Sequence, residues 1–204
     1  MNYYDLISPL YDLITHTFYR GPRQLLAGKM NYRPGQTVLV PGCGTGQGFE
    51  FIMDRIGTEG LMVGIDLSEG MLRRAERRVR KHGWSNVRLL QGDLARLDEA
   101  FFRRHRLPLS YDRISAELVL TVVPEWQRVA DHLIALLAKN GILGVLDWYR
   151  PRKDWLTRAV NMLARADSSR PVAAYLAGKL NNWQIHARFY GGNVWVGTGI
   201  EQFF

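Results

Sequence analysis

An α/β fold built on a mostly parallel sheet is predicted by three features of the chain. Val38-Leu39-Val40-Pro41 is an apolar run that breaks into glycines at 42, 44, 46 and 48 and then gives way to a helical pattern, which reads as strand, tight turn, helix. Leu61 to Asp66 is a second buried-strand run that ends in a carboxylate about 20 residues past the glycine turn. Beyond it, short buried runs keep alternating with amphipathic stretches, the pattern of strands joined by crossover helices.

Taken in order, residues 2–30 carry a doubled pattern, Tyr4-Asp5-Leu6-Ile7 and Tyr11-Asp12-Leu13-Ile14, with Tyr, Leu and Phe recurring at helical spacing; two short helices separated near Pro9 are expected. Pro34-Gly35 marks the turn into the first strand, and the helix after the glycines runs from Gly48 to Ile56. Glycines let that turn adopt positive φ and let a ligand approach the main chain. The unpaired amides at the following helix start attract an anionic group. After Asp66, Ser68 is the expected N-cap with Glu69 in the first turn, and Met71, Leu72, Ala75 and Val79 form one apolar stripe.

Val87 to Leu90 is the third strand, followed by Gly92-Asp93, and 98–109 a charged connection. Ile114 to Val119 is the fourth strand and its exit, Val129 to Leu137 an amphipathic helix, Asn140-Gly141 a stop and turn, and Ile142 to Leu146 the fifth strand. Aromatic and basic residues then interleave from Asp147 to Trp155. Residues 152–185 are expected to be mostly helical, before a hairpin of Ala187 to Tyr190 and Val194 to Gly197 joined through Gly191-Gly192-Asn193.

The glycine turn lacks the last glycine of G-x-G-x-x-G, because position 47 is Gln, which disfavours a pyrophosphate-binding dinucleotide turn and hence a nicotinamide dehydrogenase. An acidic residue at the position of Asp66 suits the ribose hydroxyls of an adenosine cofactor. The formal charge of +8, carried largely by arginines such as Arg73, Arg74, Arg77, Arg78, Arg80, Arg103, Arg104 and Arg106, favours an anionic partner, whether nucleic acid or an acidic bilayer; the bland alternative is a solvated basic face. No run of eighteen apolar residues and no basic-then-apolar leader is found, so a cytoplasmic protein is expected. The single cysteine, Cys43, excludes an internal disulfide and a cysteine-clustered zinc site, and the five histidines show no metal spacing.

In combination, Gly42-Cys43-Gly44-Thr45-Gly46, Val63 to Leu72, Gln91-Gly92-Asp93, Tyr111-Asp112-Arg113-Ile114 and Leu137 to Leu143 resemble the class I S-adenosylmethionine-dependent methyltransferases over roughly residues 34–150. The resemblance implies a Rossmann-like sheet of seven strands, mostly parallel with a reversed C-terminal hairpin and helices on both faces. It divides the chain into an N-terminal helical lid (1–33), a cofactor-binding core (34–151), a substrate-side insertion (152–185) and the closing hairpin (186–204), one domain overall. It implies S-adenosylmethionine as cofactor, held by the turn at Gly42, Cys43, Gly44 and Gly46 and by Asp66, with Leu67, Met71 and Leu94 at the adenine and Asp93 at its amino group. For Met71 packing alone, and for Asp93 a turn cap, are the rival readings. Tyr11 is the first candidate to face the sulfonium, ahead of Tyr4, Tyr19 and Arg23. The family carries Asp or Glu two residues before the first glycine, where this chain has Val40; Glu117, at the end of the fourth strand, is the candidate to supply that carboxylate.

Methyl transfer from a sulfonium is an in-line displacement in which the protein mainly positions the reactants in a dry site, so no catalytic dyad is expected. His16 and Asp147 are the only candidate bases. The Tyr-Asp segment resembles the quinone and phospholipid methyltransferase branches, and Trp148, Tyr149, Trp155, Arg158 and Trp183 suit either a bilayer interface or the core. A lipid-like or hydrophobic acceptor, with peripheral contact to an anionic membrane on its inner face, is therefore the preferred expectation. The alternatives are a methyltransferase for a soluble small molecule, and a cofactor-binding module without turnover, which Val40 keeps open. A nucleic-acid acceptor is disfavoured, since no Asn/Asp-Pro-Pro-aromatic run follows the fourth strand and no base-stacking motif is present. Oligomeric state is not legible.

Overall fold

The structure is a computed structural model that describes residues 3–152 and 154–201; for residues 3–14, 156, 160 and 163, which lie in helices, it describes the backbone alone. The apolar runs become strands β1 (Thr37–Pro41), β2 (Leu61–Asp66), β3 (Val87–Gln91), β4 (Tyr111–Glu117) and β5 (Leu137–Trp148), and the chain closes with β6 (Asn181–Phe189) and β7 (Val194–Ile200). They form one sheet in the order β3-β2-β1-β4-β5-β7-β6, parallel throughout except that β7 runs antiparallel to both neighbours. The expected seven-stranded, mostly parallel sheet with a reversed hairpin is what forms.

Period-two alternation sends each strand's side chains to opposite faces. On one face Val38, Val40 and Met62 pack under α2 (Phe49–Ile56) and α3 (Glu69–His82), while Leu146, Val194 and Val196 meet Leu26 of α1 (Tyr3–Lys29) and Met30 just beyond it. On the other, Leu39, Val63, Ile114, Val145 and Trp195 are covered by α4 (Glu99–Arg104), α5 (Trp126–Ala135) and α7 (Val172–Ala177). Gly144 of β5 lets α1 sit close: a Cβ there would lie 2.2 Å from the Met30 sulfur. A further helix, α6 (Trp155–Ala164), follows β5. No helix among the described residues is long and apolar enough to cross a membrane.

Four boundaries differ from expectation. The N-terminal segment is one helix, not two: it runs unbroken through Pro9 and Pro22, each of which deletes a single amide donor, and its C-terminal end is held by Leu26, buried against the sheet. The helix expected from Val129 starts three residues earlier, at Trp126, whose ring is buried. The strand β5 begins at Leu137 and passes through the expected turn, which survives as a bulge with Asn140 at φ 60° between the Leu137 and Ile142 pairings. The strand β6 begins at Asn181 rather than Ala187, so Trp183 lies on a strand and not in a helical insertion; the alternation of Trp183, Ile185, Ala187 and Phe189 with Gln184, His186 and Arg188 is the strand signal at this sheet edge, and only the polar Asn181-Asn182 start lacks it.

Candidate active site

The strand order reverses direction between β1 and β4, and ligands of such sheets bind outside the carboxyl ends of the strands at that point. Four strand ends converge on this rim: the glycine turn after β1, Asp66 closing β2, Gly92-Asp93 after β3 and Glu117 closing β4. The exit from β4 is strained, with Leu118 at φ 58° and its amide donating to the Leu146 carbonyl at 2.7 Å.

Gly42, Gly44 and Gly46 all have positive φ, which makes the turn one that side-chain-bearing residues resist. Two of these positions do different work. A Cβ on Gly42 would lie 2.5 Å from Val119 Cγ2, so the turn is seated directly on the segment that leaves β4; a Cβ on Gly44 would meet nothing within 4 Å, so the space over it is open. Asp66 links the two halves: Oδ2 accepts from the Gly44 amide at 2.8 Å and Oδ1 from the Ser68 amide at 2.9 Å. Ser68 caps α3, its hydroxyl accepting from the Met71 amide. From α3, Arg78 donates to the Thr45 carbonyl at 3.2 Å.

At the other end of the turn a polar network ties α1 to the sheet. The buried Arg23 guanidinium donates to Glu117 Oε2 at 2.9 Å and to Gln47 Oε1 at 2.7 Å, and the Thr15 hydroxyl reaches the same Gln47 oxygen at 3.1 Å. Glu117 also accepts from Ser115. Its Oε1 would lie 2.7 Å from a Cβ on Gly48, so a glycine is required for the carboxylate to reach the helix start. Arg23, Val40, Gln47, Phe49 and Glu117 enclose, with the turn, a cavity of about 30 Å³, room for a water or two.

An adenosine-containing cofactor fits this arrangement on two observations. The turn leaves open space where a main chain must be approached, and Asp66 brings both carboxylate oxygens to the rim with its geometry set by backbone amides. Val40 is buried, and the Glu117 carboxylate, on the neighbouring strand, lines the same cavity. Among the described residues no cluster of three metal-ligating side chains exists.

The sequence-predicted residues are distributed as follows. Gly42, Cys43, Gly44, Asp66 and Glu117 come together, with Gly46 in the same turn. Cys43 packs beneath the turn, its sulfur 3.0 Å from where a Cβ of Gly64 would stand, and burial pushes its thiol pKa well up. Leu67 is exposed beside Asp66, Met71 and Leu94 are buried, and Asp93 caps the 3₁₀ turn Leu94–Arg96 through the Ala95 amide at 3.0 Å. Tyr19 belongs to the α1–β5 contact, its hydroxyl accepting from Trp148 Nε1 at 2.7 Å. The side chains of Tyr4 and Tyr11 lie outside the described residues. His16 is exposed on α1. Asp147 is fully buried, with Oδ1 accepting from the Thr121 hydroxyl and the Trp148 amide and Oδ2 from the Thr121 amide, so it pins the segment after β4 rather than facing the cleft. Thr15, Gln47, Arg78 and Val119 were not singled out as site residues. Position 47 was legible only as a missing glycine, and Arg78 only as one of a row of surface arginines.

The chain's relatives agree with this geometry. It is 28% identical over 172 residues to the nocamycin O-methyltransferase of Saccharothrix syringae, covering 83% of this chain and 59% of that protein. It is 26% identical over 149 residues to the demethylmenaquinone methyltransferase of Geobacillus stearothermophilus, covering 73% and 59%. The chain thus spans about three fifths of these curated relatives. Its fold superposes on an O-methyltransferase family protein from Burkholderia thailandensis with a TM-score of 0.71 at 15% identity, covering 96% of this chain and 59% of that one. The profile of a family described as a methyltransferase domain matches residues 33–184, and with it the chain belongs to the class I S-adenosylmethionine-dependent methyltransferases.

Proposed function

We propose that this protein transfers a methyl group from S-adenosylmethionine to a lipid-like or hydrophobic acceptor, such as a phospholipid amine or a quinone precursor, while in peripheral contact with an anionic membrane. The observation that carries the hydrophobic-acceptor part is the face of α6. Trp155 is 78% and Met162 73% exposed, and they share one side of the helix with the exposed Arg158, while the exposed Arg165 caps its C-terminal end. A lone surface Trp is unremarkable, but Trp and Met flanked by arginines match the apolar and anionic layers of a bilayer interface. The demethylmenaquinone relatives support the same acceptor class.

When bound, S-adenosylmethionine supplies an activated methyl on a sulfonium and its own leaving group. The chain's residues do the positioning. In this reading Asp66 accepts from the ribose hydroxyls, Leu67, Met71 and Leu94 flank the adenine, and Asp93 accepts from its amino group. The turn amides meet the carboxylate, and Glu117 takes the ammonium, which requires the Arg23 guanidinium to yield part of its hold. Residues 1–33 act as the lid, with Tyr11 at the sulfonium. Holding nucleophile and methyl in line in a dry site contributes up to about 7–11 kcal/mol.

The test is twofold. Tritiated S-adenosylmethionine incubated with the protein and a bacterial lipid extract should label an organic-extractable product. Sedimentation with phosphatidylglycerol vesicles should carry the protein down at low salt, less so as salt rises, and less with Trp155→Ala. Label confined to water-soluble products would instead favour the soluble small-molecule acceptor that the nocamycin relative suggests. No sedimentation at low salt removes the membrane.

A further inference from the structure

A second concave site lies at the far edge of the sheet, between α7 and the β6–β7 ribbon, with a volume of about 310 Å³ and mostly apolar walls. On the helix side stand alanines, Ala173, Ala174 and Ala177, where larger side chains would fill the gap. On the sheet side Trp183 lies across two glycines of β7: a Cβ on Gly197 or on Gly199 would come within 3.0 or 2.9 Å of its ring. Trp195 meets Trp183 edge-on, centroids 5.9 Å apart at 72°. Two polar groups of the wall lack partners among the described residues: the buried Trp195 indole N–H, and the guanidinium of Arg188, exposed at the mouth.

The mouth opens on the same rim as the cofactor turn. Arg188, paired with Trp195, sits near the carboxyl end of β6, and Trp195 pairs with Asp147 at the carboxyl end of β5, so Arg188 and Tyr149 stand at the end of the sheet where Asp66 and Glu117 stand. From β4 to β6 there are three strand spacings, roughly 14 Å. The groove wall is also tethered to the segment that seats the glycine turn: Arg170, next to Pro171 of the groove, donates to the Leu120 and Val123 carbonyls, and the Asp167 amide donates to Thr121.

We infer that this groove seats the apolar body of the methyl acceptor, a flat ring system with an anionic or carbonyl oxygen that Arg188 meets at the mouth, while the acceptor's reactive end reaches across the rim to β4. The inference rests on the hydrophobic-acceptor reading above. It accounts for the aromatic rings, the glycine shelf, the unpaired donors and the distance together, which a packing role leaves unconnected.

The test uses the full chain and 2-naphthoate, a flat bicyclic anion, titrated calorimetrically in the presence of S-adenosylhomocysteine. Ala177→Phe fills the groove from an exposed helix position, and Arg188→Gln removes the cation. Binding should weaken at least about tenfold in the first and about two- to fivefold in the second, with S-adenosylhomocysteine affinity unchanged in both. Naphthoate that fails to bind a protein still competent for S-adenosylhomocysteine, or that binds Ala177→Phe as well as wild type, overturns the inference. Turnover separates it from the broader reading. A hydrophobic acceptor methylated with the same KM by Ala177→Phe sinks the groove and leaves the acceptor class standing. A polar acceptor whose KM is raised by Ala177→Phe keeps the groove and sinks the acceptor class.

Discussion

Replacing Gly42 by alanine tests whether the glycine turn is held in place by the exit of β4. The new Cβ would stand 2.5 Å from Val119 Cγ2 and 2.9 Å from Val119 Cβ, on a residue at φ 60°. The left-handed conformation costs an alanine about 1 kcal/mol or a little more, and forcing a methyl into a packed contact costs about 1–3 kcal/mol. The sum, about 3 kcal/mol, should lower the melting temperature of a domain this size by roughly 6–12 °C. Because the turn must shift to relieve the overlap, the Kd for S-adenosylhomocysteine should rise about tenfold, equivalent to about 1.4 kcal/mol. Val119→Ala alone loses two methyl groups' burial, about 1.6 kcal/mol. In the double variant the Cγ2 overlap is gone, while the dihedral cost and the 2.9 Å approach to the Cβ of residue 119 remain, so the pair should be less destabilised than the sum of the singles by about 1 kcal/mol. Chemical denaturation of the four proteins of this cycle measures that coupling directly. Additivity within about 0.5 kcal/mol, or a Gly42→Ala protein that melts with the wild type, would refute the claim that β4's exit seats the turn.

Other consequences are equally direct. Glu117→Ala should weaken S-adenosylhomocysteine binding about tenfold or more by calorimetry, the loss of a charged hydrogen bond of about 1.5–3 kcal/mol, and unchanged affinity would end its role as the carboxylate missing at Val40. It should also lower stability, because Arg23 is left buried without its countercharge; Arg23→Met combined with Glu117→Ala should recover part of that loss. Burial pushes the Asp147 carboxyl pKa up to about 6 from 3.8, against the opposing hydrogen bonds of Thr121 and Trp148. The folded state therefore holds that proton more tightly than the unfolded chain, and the stability it contributes is present below about pH 4 and lost as pH rises through 6. Relative to Asp147→Asn, the wild type should lose about 2 kcal/mol of unfolding free energy between pH 4 and 7, and a flat difference across that range would contradict the burial argument. Arg78→Ala, which removes the clamp on the Thr45 carbonyl, should raise the S-adenosylhomocysteine Kd a few-fold at most, about 1 kcal/mol, whereas Arg77→Ala, at an exposed position on the same helix, should leave it unchanged.

Much of the architecture was legible because it is written in local pattern. Buried parallel strands are short apolar runs whichever neighbours they acquire, and the glycines at 42, 44 and 46 announce positive φ before any partner is known. Asp66 was legible for the same reason: strand end and turn stand at a spacing that the βαβ unit itself sets. The boundaries that moved are those where packing outweighs local preference. Pro9 should interrupt a helix by itself, yet α1 runs through it, and β6 opens with the polar pair Asn181-Asn182 ahead of an alternation that begins at Trp183.

The chain's own order therefore specified the α/β class, the glycine turn and the carboxylate that follows it, since each depends on residues close together in sequence. Which side chains complete the site was decided only by the tertiary arrangement. Arg23 reaches Glu117 across 94 residues and Gln47 across 24, and Val119 meets Gly42 because β4 lies beside β1 in the sheet. Trp183, read as part of a helical insertion, becomes the floor of a groove because β7 offers it two glycines. Contacts of that kind depend on strand order and on which face each residue takes, and neither is written in the local pattern around a single residue.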